Sequence, residues 1–290
     1  MLDQAFKLRE LAEKSISVDC KKENFKTKII TVASGKGGVG KSNIVVNLSM
    51  ALQNIGRKVL IFDADIGMAN DDLLMGIISK YNIYDVISKN IDIEEAIVEG
   101  PLNVKLLSGG SALAKVDELT ELERINFLKK IENLIDYDYI IIDTGAGINR
   151  SILAFIACSD EFILVTTPEP TSLTDGYSLI KAINHFHIKD TGSIIVNRVL
   201  NFKEGETTFR RLNNCAIKFL GMNLNFLGVV KEDLKLSKSV RTGIPFYVSY
   251  PECDASNNIK DIVSKLEGLP LVKHEKGVQN LFKKIFSIFS

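Results

Sequence analysis

Net charge is absent from this sequence: 36 Lys and Arg balance 36 Asp and Glu. No global field therefore recruits nucleic acid or acidic lipid, and any such attraction must be local. Cysteine is scarce. Cys20, Cys158, Cys215 and Cys253 lie far apart with no CxxC pair. That spacing excludes a zinc ribbon, a disulfide framework and a paired iron–sulfur ligand set, and it suits a reducing cytosol. No stretch approaches the ~18 uncharged apolar residues of a membrane span. Asp3, Lys7, Arg9 and Glu10 interrupt the N-terminus, so it lacks the apolar core of a signal peptide. Internal repeats and low-complexity tracts are missing too. The expectation is a cytoplasmic protein that reaches a membrane only by a peripheral device.

What is present is a normal globular composition, 46% hydrophobic and 25% charged over 290 residues, enough for one large α/β domain with a substantial core. Short β-branched runs recur at Lys28–Ala33, Lys58–Phe62, Val104–Leu107, Tyr139–Ile142, Phe162–Thr167, Ser193–Asn197 and Phe226–Val230. Several are apolar without alternation, as in strands covered on both faces. Amphipathic stretches such as Ser42–Ile55, Glu121–Leu134 and Asp175–Phe186 separate them. The predicted fold is α/β, a mostly parallel central sheet flanked by helices. The ends differ from this core. The expected division is an N-terminal helix and linker over 1–24, a catalytic domain over 25–267, and a linker with a terminal helix over 268–290.

After the first predicted strand stands SGKGGVGKS, in which Gly35, Gly40, Lys41 and Ser42 satisfy G-x-x-x-x-G-K-[ST]. The residue types suit phosphate. Glycines let backbone N–H groups turn inward around phosphate oxygens, and the following helix N-terminus adds positive potential. Lys41 can reach the β- and γ-phosphates, and the Ser42 hydroxyl can hold Mg²⁺. The expected nucleotide contacts are Gly35, Lys36, Gly37, Gly38, Val39, Gly40, Lys41, Ser42 and Asn43. From the generic motif alone Lys36 is an ordinary solvated loop lysine. The whole string KGGVGKS, however, resembles the deviant P-loop of the MinD/ParA ATPases. On that resemblance Lys36 is the signature lysine, which reaches the partner subunit's nucleotide in an ATP-bound homodimer and neutralises charge in trans, as an arginine finger does.

Carboxylates follow at strand ends, where ligands of open α/β sheets bind. Asp63 and Asp65 stand in VLIFDADIGMAN, and one of the two could simply cap a helix or form a turn. The string resembles the family's D-x-D-x-G switch I, which implies Asp63 near the Mg²⁺ and Asp65 orienting the attacking water. Asp143 ends an Ile-rich run in YIIIDTGAG, where a carboxylate is costly unless paired or near a metal. It matches a Walker B aspartate, and DTGAG resembles switch II. Asn197 and Arg198 close SIIVNR; an ordinary polar loop start would read the same. The family implies that the Asn reads adenine, which its amide can do by donating and accepting. No GTP-specifying N/T-K-x-D motif occurs, so ATP is favoured. The segment Thr166–Gly176 resembles the family's stretch after a central strand, which puts Asp175 near the dimer face.

Val278, Leu281, Phe282, Ile285, Phe286 and Phe289 follow i, i+3, i+4, i+7, i+8, i+11, one face of a helix. Docking on the protein's own core would give that pattern. So would an anionic membrane surface, which the lysines favour: Lys273, Lys276, Lys283 and Lys284 outweigh Glu275. One short helix binds membrane marginally, and two brought together in a dimer gain by effective concentration. At the other end DQAFKLR matches D-Q-A-x-x-L-R, resembling the activator helix of the FlhG (YlxH/FleN) family. The resemblance implies that Asp3, Gln4, Ala5, Leu8 and Arg9 engage FlhF, a signal-recognition-particle-type GTPase, with Gln4 as catalytic helper. A plain N-terminal helix capped by Asp3 would read the same from composition.

His185 and His187 point apart at a helix end and lack a third metal ligand. Arg210 and Arg211 are too isolated for a nucleic-acid patch. The reading is thus a Mg·ATP-dependent, dimerising, membrane-peripheral ATPase of the MinD-like P-loop class. It would control flagellar number or placement through FlhF and flagellar basal-body components. The alternatives are a MinD-like division-site ATPase, against which DQAFKLR argues, and a ParA-like DNA-segregation ATPase, which wants a basic surface.

Overall fold

The structure is a computed structural model that describes residues 27–65, 70–89, 91–109, 120–132, 137–268 and 277–289. The helix expected around DQAFKLR lies outside them.

In chain order the elements begin with β1 (Lys28–Ser34), α1 (Lys41–Asn54), β2 (Val59–Ala64), α2 (Asp71–Met75), α3 (Ile83–Ser88), α4 (Ile93–Ala96), β3 (Ile97–Glu99) and β4 (Lys105–Ser108). There follow α5 (Glu121–Glu132), β5 (Tyr139–Ala146), α6 (Arg150–Cys158), β6 (Glu161–Thr166), α7 (Pro170–His185), β7 (Thr191–Val199), α8 (Phe202–Leu220) and β8 (Asn223–Lys231). The chain continues through α9 (Leu234–Thr242), α10 (Phe246–Ser249), α11 (Asp254–Gly268) and α12 (Gly277–Phe289).

One eight-stranded sheet has the order β3-β4-β2-β5-β1-β6-β7-β8. All pairs are parallel except β3 with β4. The expected mostly parallel sheet is therefore present. Its unbroken apolar runs have a direct explanation. Ile29, Leu60, Phe62, Ile140 and Ile142 pack on one face, while Ile30, Ile61 and Ile141 pack on the other, so alternate side chains are all buried. Helices α1, α10 and α11 line the second face, and α6, α7, α8 and α12 the first.

Some boundaries differ from expectation. The antiparallel edge strand β3 is only three residues long, too short to carry a pattern. Helix α7 starts at Pro170 rather than Asp175, because proline is tolerated in a first helical turn, where its missing N–H has no intrahelical partner. Strand β5 runs on through Asp143 to Ala146.

Helix α12 packs against α5, α6 and β1. Leu281, Phe282, Ile285 and Phe286 of the expected apolar face are buried, Lys283 is exposed and Lys284 half-buried. The side chains of Val278 and Phe289 are outside those described. The Phe282 ring lies 5.4 Å from Phe62 and 5.0 Å from Phe127, and Phe286 lies 5.6 Å from Phe127. In this structure the tail takes the core-docked arrangement of the two that its amphipathic pattern allowed.

Candidate nucleotide site

The glycine-rich loop joins β1 to α1 at the C-terminal edge of the sheet. Gly38 and Gly40 have φ of 76° and 89°, left-handed values that favour glycine. Gly35 is required for a different reason: a Cβ there would sit 2.2 Å from the Asp175 carbonyl carbon. Asp175 thus approaches the loop through its backbone.

Asn197 underpins the same loop. Its Nδ2 donates to the Val39 carbonyl at 2.7 Å, and its buried Oδ1 has no donor. A Cβ on Gly40 would collide with this amide at 2.3 Å. Arg198 is exposed at φ 56°, where the β7–β8 register shifts. Asn43 is half-buried and accepts at its side-chain oxygen from Asn47 Nδ2 at 2.8 Å.

The lysines diverge. Lys36 turns outward, with Nζ 2.9 Å from Thr171 Oγ1 and 3.3 Å from Glu169 Oε2 at the start of α7. Lys41 turns inward and pairs with Asp143 Oδ1, both side chains being buried. The nearby Ser42 side chain also favours the charged form of Asp143.

Register brings the strand-end carboxylates together, because Asp63 on β2 is the cross-strand partner of Asp143 on β5. Asp63 Oδ1 accepts from the Asp65 N–H at 3.1 Å, and Oδ2 accepts from Asn70 N–H at 3.1 Å and Asp71 N–H at 3.4 Å. It therefore ties Asp65 to Asn70 and Asp71. Asp65 lies beside switch II: a Cβ on Gly145 would stand 3.4 Å from its Oδ1. Gly147, at φ 93°, donates its N–H to the Ser34 carbonyl at 2.9 Å and ties that loop to the P-loop.

Burial dominates the electrostatics. It pushes the Asp63 carboxyl up to about 7, with the neighbouring Asp143 charge adding and the Asp65 and Asp71 N–H groups opposing. Burial also raises Asp143, against the pull of Lys41, Ser42 and Asp71. A further carboxyl, Asp71, is raised by burial and then by Asp143 and Asp63. Sequence reasoning missed Asp71, since an acidic residue after Asn70 reads as an ordinary helix start. It also passed over Glu169 and Thr171, whose contacts with Lys36 cross 133 and 135 residues of chain.

The donor set fits Mg²⁺. A hydroxyl and buried carboxylates are hard oxygen ligands, and both Asp71 oxygens lack a donor. Among the described residues no three His, Cys, Asp or Glu side chains form a cage by themselves. That suits an ion held largely by phosphates and waters. Such an ion would neutralise the charge of the phosphates.

A parallel sheet with a left-handed glycine loop, an inward lysine and paired strand-end aspartates defines a P-loop nucleotide-binding protein. A family model described as an AAA domain matches residues 27–196. The flagellum site-determining protein YlxH of Helicobacter pylori is 37% identical, over 89% of this chain and 90% of that protein. The antiactivator FleN of Pseudomonas aeruginosa is 32% identical, over 88% and 91% respectively. MinD from Pyrococcus horikoshii, solved with Mg-ADP, superposes with a TM-score of 0.66 at 27% identity, covering 83% of this chain and 96% of that one. This chain belongs to the FlhG (YlxH/FleN) group of the MinD/ParA-type ATPases.

Proposed function

We propose that this protein is a Mg²⁺-dependent ATPase that dimerises around ATP, binds the cytoplasmic membrane face through α12, and sets flagellar number or placement. The observation that carries the reading is similarity to FleN and YlxH over nearly nine-tenths of the chain, joined to the DQAFKLR segment. In this reading Asp3, Gln4, Ala5, Leu8 and Arg9 engage an FlhF-type GTPase, and Gln4 orients its attacking water.

The geometry supports a role for each residue. Lys41 leaves Asp143 for the β- and γ-phosphate oxygens. Ser42, Asp63 and Asp143 would hold the metal ion. Asp65, beside Gly145, positions the attacking water. Lys36, held among the described residues by the exposed Glu169 and Thr171 at the start of α7, is free to cross to the other subunit's nucleotide. The Asn197 Oδ1 accepts from the adenine amine.

For α12, membrane binding requires release. Burying Leu281, Phe282, Ile285 and Phe286 stabilises the docked state by roughly 1.5–3 kcal/mol for each side chain. A lipid surface buries the same face, so most of that term cancels and a modest bias can move the helix. Docking is also imperfect: Gln279 is buried with an unpartnered Oε1. No helix among the described residues is long and apolar enough to cross a membrane.

The test is GTP hydrolysis by an FlhF-type GTPase with the full chain, wild type and Gln4→Ala. Stimulation that the substitution abolishes supports the assignment. No stimulation by either overturns it in favour of a MinD-like positioning ATPase, the second reading that the likeness to Pyrococcus horikoshii MinD supports.

A further inference from the structure

Asp71 is a fully buried carboxylate at the start of α2, and neither of its oxygens has a hydrogen-bond donor. Its neighbours are otherwise satisfied. Asp63 accepts from three backbone N–H groups, and Asp143 receives Lys41. The Asp71 N–H donates to Asp63 Oδ2 at 3.4 Å, and Asp63 is the cross-strand partner of Asp143, so the start of α2 is fixed at the carboxylate pair. With no cation beside it the Asp71 carboxyl holds a proton, because burial raises it, and Lys41 is bonded on the Asp143 side.

A buried carboxyl whose oxygens lack hydrogen-bond partners is costly whether or not it is charged, and a native structure that keeps one calls for a specific explanation. Replacing Asp71 by an apolar residue of similar size would remove that cost, so packing does not account for it. The P-loop does. Once Lys41 turns to phosphate, Asp143 loses its cation at the place where the donor set fits Mg²⁺. Mg²⁺ keeps most of its waters, and those waters donate hydrogen bonds that a nearby carboxylate can accept.

We propose that Asp71 is a third carboxylate of the metal site, a positioning residue that accepts from the waters around the ion and strengthens its hold on the nucleotide. The inference rests on the nucleotide-site reading and extends it to a residue outside the switch I and P-loop strings. Removing such an outer-sphere partner typically weakens metal affinity about 10- to 100-fold.

The experiment titrates Mg²⁺ into the full-length protein with a fluorescent ADP analogue and repeats the titration with Mn²⁺ followed by electron paramagnetic resonance. Asp71→Asn keeps the size and removes the charge. Asp71→Leu removes the unsatisfied oxygens, so the fold is expected to tolerate it. The expected result is at least a tenfold rise in half-saturating Mg²⁺ and Mn²⁺ for both variants. ADP binding in excess chelator should be unchanged. Half-saturation equal to wild type in either folded variant overturns the proposal, whatever happens to thermal stability. If wild-type ADP binding itself ignores Mg²⁺, the metal reading of the whole site falls along with it.

Discussion

Lys41 Nζ rests on Asp143 Oδ1, and both groups are buried at the end of the central strand pair β1–β5. The phosphate-binding lysine is thus neutralised before nucleotide arrives, and binding must exchange one anionic partner for another. Lys41→Ala strands Asp143 beside Asp63 and Asp71 without a cation. Removing one partner of a buried pair typically costs about 3–5 kcal/mol. The expected outcome is a large loss of unfolding free energy in chemical denaturation at pH 8, together with no detectable ATP binding in calorimetry. Lys41→Ala with Asp143→Asn should recover most of the stability and none of the binding.

Two glycines of the same loop should fail differently. Gly35→Ala drives a methyl to 2.2 Å from the Asp175 backbone, which cannot yield as a flexible side chain would. At Gly37 the nearest atom to a new Cβ is Ala146 Cβ at 3.9 Å, ordinary contact. Thermal melts should show Gly35→Ala destabilised by several degrees or insoluble and Gly37→Ala within about 0.5 kcal/mol of wild type, as for a change that disturbs no core contact. Equal melting temperatures would mean that α7 does not abut the P-loop as described.

How much of this was legible depended on sequence distance. The P-loop is local: its glycines, Lys41 and Ser42 lie within one turn, so the string carries the geometry. The strand-end aspartates were legible as types, but the β2–β5 register that opposes Asp63 to Asp143 joins residues 80 positions apart in the chain and has no local signature. Asp71 was hidden because its short helix has too few positions to reveal an inward face. The α12 pattern was clear and its partner was not, since a lipid surface and the Phe62–Phe127 groove ask for the same apolar stripe.

The pH dependence of stability should carry a signature of α12 docking. Lys189, half-buried, donates to the Ser159 carbonyl at 2.5 Å. Burial lowers its ammonium pKa and Lys284 of α12 lowers it further, while Asp160, Cys158 and Asp190 oppose. A lysine whose pKa is depressed in the folded state binds fewer protons there than when unfolded. Stability therefore rises with pH between the depressed value and the ordinary lysine value of about 10.4. Denaturant midpoints between pH 7 and 10 should show this rise in wild type and a flatter profile in Lys189→Met. An unchanged slope in the variant would assign the dependence to other groups.

Cys158 offers a direct readout of helix release. It is buried, and burial pushes its thiol up to about 12, with Lys284 of α12 and Lys189 only partly opposing. Thiolate is the reactive form, so Cys158 should label slowly in the docked state. Truncation after residue 268 should raise its labelling rate at pH 8 by an order of magnitude or more, followed by intact-protein mass spectrometry. The exposed Cys215 serves as an internal control that should not change.

Gln279 separates docking from membrane affinity, because one substitution pushes the two in opposite directions. Its buried Oε1 has no donor, and an unsatisfied buried acceptor costs about 1–3 kcal/mol. Gln279→Leu removes that cost and adds apolar surface. A helix that partitioned freely into lipid would then bind liposomes more tightly, since its face is more hydrophobic. A helix that must first leave the protein would bind less, since the docked state gains the same surface and loses an unsatisfied group as well. The expected outcome for the nucleotide-free protein is a higher melting temperature, slower Cys158 labelling and weaker sedimentation with anionic liposomes. Stronger sedimentation would mean that docking does not compete with lipid, and release of α12 would then drop out of the mechanism.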